Sequence, residues 1–385
     1  MPKVNPEILI WARKTAGLSE EDAFQKLGLS GVHRLQALES GDIAPSRRQL
    51  VNMSEKYRRP LLTFYLDKPP KQSKKDQDFR TLPSQFKSDS EMLLKVLLRD
   101  VHVRKDLVRY ALEDAEEDEK LDFVGSAKME DGVEYLAKHI AEKLNFNRSN
   151  FLQHKNVKDA FDALRSSVEQ LGVFVLLKGN LGNYHTNIEV SVFRGFALAD
   201  DVAPFIVINE NDSRSAWAFS LMHELCHIFL GQSGISNYSL EKKKIEKFCD
   251  SVSAKFLMDV SALRQLDLEG DLENIIHEIN SFANIHHLSR TMIAYNLLDQ
   301  NLISNKIYTL LSDRFLEERR TASINNKEKR GKDTGPDYYV VRKHRVGKKL
   351  TNFVARMVSN GTLTTTKAGK VLGVKPTGVK KLAFE

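Results

Sequence analysis

Ser213-Arg214-Ser215-Ala216-Trp217-Ala218-Phe219-Ser220-Leu221-Met222-His223-Glu224-Leu225-Cys226-His227-Ile228-Phe229-Leu230 reads as one helix carrying two histidines four residues apart. An α-helix turns by about 100° per residue, so His223 and His227 lie roughly 40° apart around the axis and one turn apart along it. Both imidazoles can then reach a single ion. Zinc binds imidazole nitrogen at roughly 2.0–2.1 Å, and a catalytic site takes three protein ligands plus a water. Glu224 follows the first histidine, where its carboxylate can take a proton from such a water before attack on a peptide carbonyl.

The following helical stretch, Leu240 to Met258, offers the third ligand. Glu246-Lys247-Phe248-Cys249-Asp250 starts nineteen residues after His227, and Glu246 completes a two-His, one-Glu site for one Zn2+ per chain. Asp250, one turn on, is suited to accept a hydrogen bond from the free ring nitrogen of a ligand histidine. Gly231 to Gly234 supplies the turn between antiparallel helices. His-Glu-x-x-His alone is short enough to occur by chance; an amphipathic helix, a turn and then Glu-x-x-x-Asp together are far more specific. Cys226 and Cys249 read as small residues that let the two helices approach. A redox or zinc role is the alternative.

A chain of 385 residues accommodates two or three domains. Its 58 Lys and Arg exceed 51 Asp and Glu, a mild basic excess that permits a polyanionic partner without requiring one. Most of that excess is local: Asn325 to Glu385 holds 15 Lys or Arg and four acids. Met1 to Pro6 has no apolar signal-peptide core, and the longest apolar runs, such as Pro204 to Ile208, are far short of a membrane span. With two cysteines, too few for a disulfide scaffold, the expectation is a cytoplasmic protein with reduced thiols and no membrane contact.

The fold class expected is α+β and predominantly helical. Residues 1–68 read as an all-helical bundle: Pro6 starts one helix, Ser19 caps a second that stops at Gly28, Val32, Leu35 and Leu38 mark a third ended by Ser40-Gly41, and Ser46 caps a fourth. Residues 69–130 read as a linker, with the polar run Lys71 to Asp78, followed by a connecting helix. Residues 131–320 form the central domain. Helical periodicity there gives way to short strands at Val173–Leu177, Ile188–Val192 and Phe205–Ile208 before the two metal-site helices. A basic linker at 321–337 precedes a small helical region at 338–385.

Phe196-Ala197-Leu198, Pro204 to Asn209, Arg214, Phe219, His223 to His227 and Glu246 to Met258 together resemble the ImmA/IrrE metallopeptidases of bacteria and mobile elements. The resemblance covers about residues 150–320 and implies a zincin-like fold. Carried over residue by residue, it implies zinc ligands at His223, His227 and Glu246 and a catalytic base at Glu224. This chain departs from the family in having Asp250 where Asn is usual and Cys226 where a small residue is usual. Near Ser289 it has Asn296-Leu297 where an Arg-Leu pair is common. The resemblance further implies a protein substrate, a helix-turn-helix repressor or antitoxin whose cleavage releases stress-response, phage or mobile-element genes.

The N-terminal bundle resembles a lambda-repressor-type helix-turn-helix through Leu18-Ser19, Ala23, Leu27-Gly28, Leu35, Leu38 to Gly41 and Pro45-Ser46. In such a domain the second helix of the motif enters the major groove, and a homodimer reads two half-sites. The candidate base-reading residues are His33, Arg34 and Gln36; Arg47 and Arg48, at a helix start beside Gln49, suit phosphates. A domain that keeps this fold but docks a protein is the alternative. The tail, from Thr364 to Val374, has a similar Ala…Leu-Gly-Val rhythm. Its lysines and arginines (Arg342, Lys343, Arg345, Lys348, Lys349, Lys375, Lys380 and Lys381) read either as a solvated face or as a nucleic-acid-binding one.

Two functions from different classes fit. One is a regulatory zinc endopeptidase that cleaves a protein regulator and is coupled to DNA. The other is a DNA-binding antitoxin-type regulator that holds a toxin, such as a nuclease, on a peptidase-like fold. The complete His223, Glu224, His227, Glu246 set favours the first. For the oxyanion-stabilising group, His185, Tyr238, His286, His287 and Tyr295 are candidates on polar character alone.

Overall fold

The computed structural model describes residues 4–70, 88–182, 186–233, 240–329 and 337–385. The chain divides into two compact units, Met1–Leu98 and Arg99–Glu385. The architecture is predominantly helical with one small sheet, the α+β class expected.

In the first unit, α1 (Pro6–Thr15), α2 (Glu20–Leu27), α3 (Val32–Ser40) and α4 (Arg47–Lys56) follow the local signals closely. Ser19 and Ser46 each form a capping box, reciprocated by Asp22 and Gln49. Gly28 ends α2 at φ 66°, a left-handed conformation that favours glycine. Ile8, Leu9, Ala12, Leu35, Leu38, Leu50, Met53, Tyr57 and Phe64 form the core. Within it Arg13 Nε donates to Glu39 Oε1 at 2.7 Å, so the one buried acid of α3 is paired.

The division between units falls within α5 (Ser88–Asp114). The second unit continues with α6 (Val133–Lys143), α7 (Arg148–Leu152), α8 (Val157–Leu171), β1 (Phe174–Leu177), β2 (Gly195–Leu198) and β3 (Phe205–Ile208). Next come α9 (Arg214–Phe229), α10 (Leu240–Leu257), α11 (Leu272–His286), α12 (Arg290–Asp299) and α13 (Asn305–Lys329). The chain ends with α14 (Tyr338–Val346), α15 (Lys348–Ser359), α16 (Thr365–Leu372) and α17 (Val379–Ala383). The sheet order is β1-β3-β2, with β1 parallel and β2 antiparallel to the central β3. All three strands are buried throughout, and α9 packs against β2, β3, α8 and α10.

Several expectations need correction. Ile188–Val192 is not a strand; Gly195–Leu198 pairs with β3 instead. The alternation that suggested a strand is present, with Ile188 and Val192 buried. Its backbone is satisfied elsewhere, however: Ile188 N–H donates to Gly179 O at 2.8 Å, and its carbonyl accepts from the side-chain amides of Asn209 and Asn211. The Ser213–Leu230 helix is not amphipathic but buried almost all round, because sheet and helices enclose it. α13 runs on to Lys329, into the stretch read as a linker. The run Lys71–Asp78 lies outside the described residues.

Three cations of the basic tail are occupied. Arg342 is buried and donates to the Leu372 and Gly373 carbonyls, at 3.0 and 2.6 Å. Arg345 pairs with Glu210 at 2.5 Å, and the Lys349 ammonium lies 5.1 Å from the Phe174 ring centroid. Arg342 thus joins α14 to the end of α16 and Arg345 joins α14 to the segment after β3, whereas Lys343, Lys348, Lys375, Lys380 and Lys381 are exposed. No described helix is long and apolar enough to cross a membrane.

Candidate metal centre

α9 starts after Ser213, whose backbone is extended (φ −63°, ψ 143°), and has no glycine or proline in its span. It ends at Leu230 and Gly231, the latter at φ 65°. Thirteen of its sixteen residues are buried, including His223, Glu224 and His227. Burying ionisable groups in one helix is costly unless they have partners, and α10 supplies these for the two histidines.

His223, His227 and Glu246 converge, with one candidate ligand atom from each lying within 4.8 Å of the others. The two Nε2 atoms are 3.1 Å apart, and Glu246 reaches both, at 3.1 Å from His223 and 3.5 Å from His227. On the far side of its ring, His223 Nδ1–H donates to Asp250 Oδ1 at 2.9 Å. That bond fixes the tautomer in which Nε2 offers its lone pair to the cluster.

The electrostatics follow from burial and this pairing. Burial opposes a charged His223, but hydrogen bonds with Asp250 and Glu246 prevail and raise its pKa. His227 also overcomes burial, through hydrogen bonds with Cys249 and Glu246, and is pushed up to about 10. Glu246, although buried, is held well below the usual carboxylate range by its bonds to both histidines. Glu224 behaves oppositely. Burial pushes it up to about 7 against the attraction of the two histidines, and its Oε2 is buried with no partner among the described residues.

Two facing imidazole nitrogens, an acidic carboxylate bridging them and an orphaned buried carboxylate oxygen beside them fit a divalent cation of the zinc type. Protons shared among these groups would leave when such an ion enters.

Gly195, at the start of β2, is a site feature that local sequence signals do not reveal. A Cβ there would lie 2.8 Å from Glu224 Oε1, so β2 gives Glu224 its space by having no side chain at that point. Cys249 lies close to Cys226 and His227. Cys226 and burial hold the Cys249 thiol well above its ordinary value, and both cysteines are fully buried and free. A high thiol pKa suits a packing and hydrogen-bonding role better than a thiolate ligand.

Of the oxyanion candidates, His185 and Tyr238 lie outside the described residues. His286 is bonded to Phe282 O at 2.9 Å and stacked on the Phe282 ring, and His287 packs edge-on to Phe151. Tyr295, on α12, is raised in pKa by burial and then by the negative charge of Asp250.

In the first unit His33, Arg34 and Gln36 on α3 and Arg47 and Arg48 on α4 are all exposed. Gln36 Nε2 donates to Glu20 Oε2 at 2.8 Å, so that amide is already engaged.

Two helices that present a two-histidine, one-carboxylate set with a buried acid alongside define a metallohydrolase-like centre. Residues 169–298 match the peptidase M78 family, described as the IrrE N-terminal-like domain, and this stretch, which holds the whole cluster, is metallopeptidase-like. No curated protein matches the chain, and no solved structure does.

Proposed function

We propose that the chain is a zinc-dependent endopeptidase that cleaves a protein regulator and is coupled to DNA through its N-terminal helix-turn-helix unit. The convergence of His223, His227 and Glu246 beside a buried Glu224 carries this reading. A protein that only held a partner would not need to bury an unpartnered carboxylate next to three ligands.

His223, His227 and Glu246 would hold the zinc, which supplies Lewis acidity, lowering the pKa of a water to about 7 and polarising a peptide carbonyl. Glu224, with a pKa raised to about 7, is matched to take the proton from that water and to deliver it to the departing amine. Asp250 holds the His223 ring in its working tautomer, and Cys249 braces His227. Tyr295 keeps its phenolic proton to higher pH than usual and is the described candidate for donating to the developing oxyanion.

On the DNA side, exposed His33 and Arg34 suit base edges, and Arg47 and Arg48 suit phosphates at the start of α4. Gln36 would have to exchange Glu20 for a base. A homodimer follows from the half-site logic. The substrate is then a helix-turn-helix repressor or antitoxin.

Incubation of the zinc-loaded chain with proteins encoded by neighbouring genes, beside Glu224→Gln, tests the proposal. Cleavage by the wild type alone supports it. A tight complex with repression, equal in both proteins and without cleavage, would favour the toxin-binding regulator instead.

A further inference from the structure

The outer face of α10 bears a feature that the metal chemistry does not use. Glu246 and Asp250 point to the histidines, whereas Lys244, Lys247, Phe248 and Ser251 recur at helical spacing on another side. With Lys243 they line an open groove of about 780 Å³, closed on the other wall by Met129 and by Val133 at the start of α6. That volume is within the range of ligand-binding clefts, roughly 300–1,000 Å³.

Its chemistry is of two kinds. Met129, Val133 and Phe248 give an apolar floor, each only partly buried. The methionine is an adaptable contact of the sort found on surfaces that accept varied apolar side chains. Three exposed lysines surround that floor from one side. Lysine stems can extend the apolar surface while the ammonium groups stay in water.

Two acids on the facing wall are turned elsewhere. Asp131 accepts from the Lys128 backbone N–H at 2.7 Å, and Glu134 takes the Lys255 ammonium at 2.5 Å. Lys247 has a partner in Asp299 at 3.1 Å but remains two-thirds exposed, so it can also meet an incoming charge.

We infer that this groove docks an amphipathic helical segment of a partner protein, its apolar face on Met129, Val133 and Phe248 and its acidic edge against Lys244 and Lys247. An apolar floor alone would accept many occupants; the lysines select an acidic one. The inference rests on the proposed endopeptidase only in taking the docked protein to be its substrate. Because the groove lies on the helix that supplies Glu246, it would hold the substrate away from the reacting bond and add affinity by tethering.

The test uses the full chain and a labelled synthetic amphipathic helix with leucines on one face and glutamates flanking them, followed by fluorescence anisotropy. A second helix carries lysines in place of the glutamates. The acidic helix should bind at least tenfold more tightly than the basic one, with affinity falling as salt rises. Lys244→Glu and, separately, Met129→Glu should each weaken binding about tenfold while leaving zinc content unchanged. Equal binding of the two helices, or variants that bind as the wild type does, would overturn the inference. So would loss of self-association, rather than of helix binding, in Lys244→Glu, since the groove would then serve a second copy. Binding is measured without cleavage. A chain that binds the acidic helix but cuts no protein would therefore refute the endopeptidase and leave the groove standing.

Discussion

Asp100 is a partly buried and Glu224 a fully buried carboxylate of the second unit, and their surroundings are opposite. Asp100 lies 2.8 Å from Arg104, 2.8 Å from Lys178 and 3.9 Å from Lys370. Arg104 also donates to Val371 O at 2.9 Å, and Arg342 donates to Leu372 and Gly373, so the carbonyls at the C-terminal end of α16 offset the surplus of cations. Attraction to Arg104 and Lys178 overcomes burial and holds Asp100 far below the usual range, while burial and the nearby Arg104 pull Lys178 down to about 8. Among the described residues, Glu224 has one oxygen buried without a partner. The satisfied cluster joins elements of the fold; on the proposed endopeptidase reading, the unsatisfied one is kept free for chemistry.

The largest effect should come from Glu224→Gln. On the endopeptidase reading it lowers kcat by about 10²–10⁴-fold, the usual contribution of a general base, with zinc retained. Loss of zinc together with activity would place Glu224 among the ligands and undo the contrast. Asp100→Asn should destabilise the chain by roughly 3 kcal/mol, since it leaves buried cations uncompensated, without altering kcat of the folded fraction. Chemical denaturation checks this, and a changed kcat at normal stability would mean that the two clusters are coupled.

Gly195→Ala is a finer probe. Its Cβ would sit 2.8 Å from Glu224 Oε1, and displacement of that carboxylate should reduce activity about tenfold at a stability cost of ~1–2 kcal/mol. Full activity would show that Glu224 has room to move.

The smallest effect distinguishes the clusters by pH in chelator-treated protein. Glu224 has a raised pKa, so its contribution to stability is complete below the unfolded value near 4.5 and is lost as pH rises through about 7. Asp100 has a depressed pKa, so its contribution is present above the unfolded value near 3.8 and is lost as pH falls below it. Unfolding free energy against pH should therefore flatten between about pH 4.5 and 7 in Glu224→Gln and in the acid limb in Asp100→Asn, each by ~1–2 kcal/mol. The same limb flattening in both variants would contradict the assignment.

Much of this contrast was legible before the fold was known, but unevenly. Helical spacing converts directly into geometry, so the convergence of His223, His227, Glu246 and Asp250 could be read from two short segments. Caps such as Ser19 and Ser46 are equally local. Strand pairing is not: Ile188–Val192 and Gly195–Leu198 differ in whether Asn side chains or β3 satisfy the backbone, and nothing local in the chain states that choice. The burial of α9 on nearly every side was hidden for the same reason, since enclosure depends on β2, β3, α8 and α10 together. In the tail, a run of cations shows charge but not partners. Arg342 and Arg345 find theirs at remote carbonyls and at Glu210.

Metal content of the purified full chain, measured by mass spectrometry of the element, tests the central claim most directly. The account predicts one zinc per chain in the wild type and in Glu224→Gln, and its loss when His223, His227 or Glu246 is replaced by alanine. A wild-type chain that binds no zinc from a zinc-supplemented buffer, or zinc that persists after both histidines are removed, would contradict it.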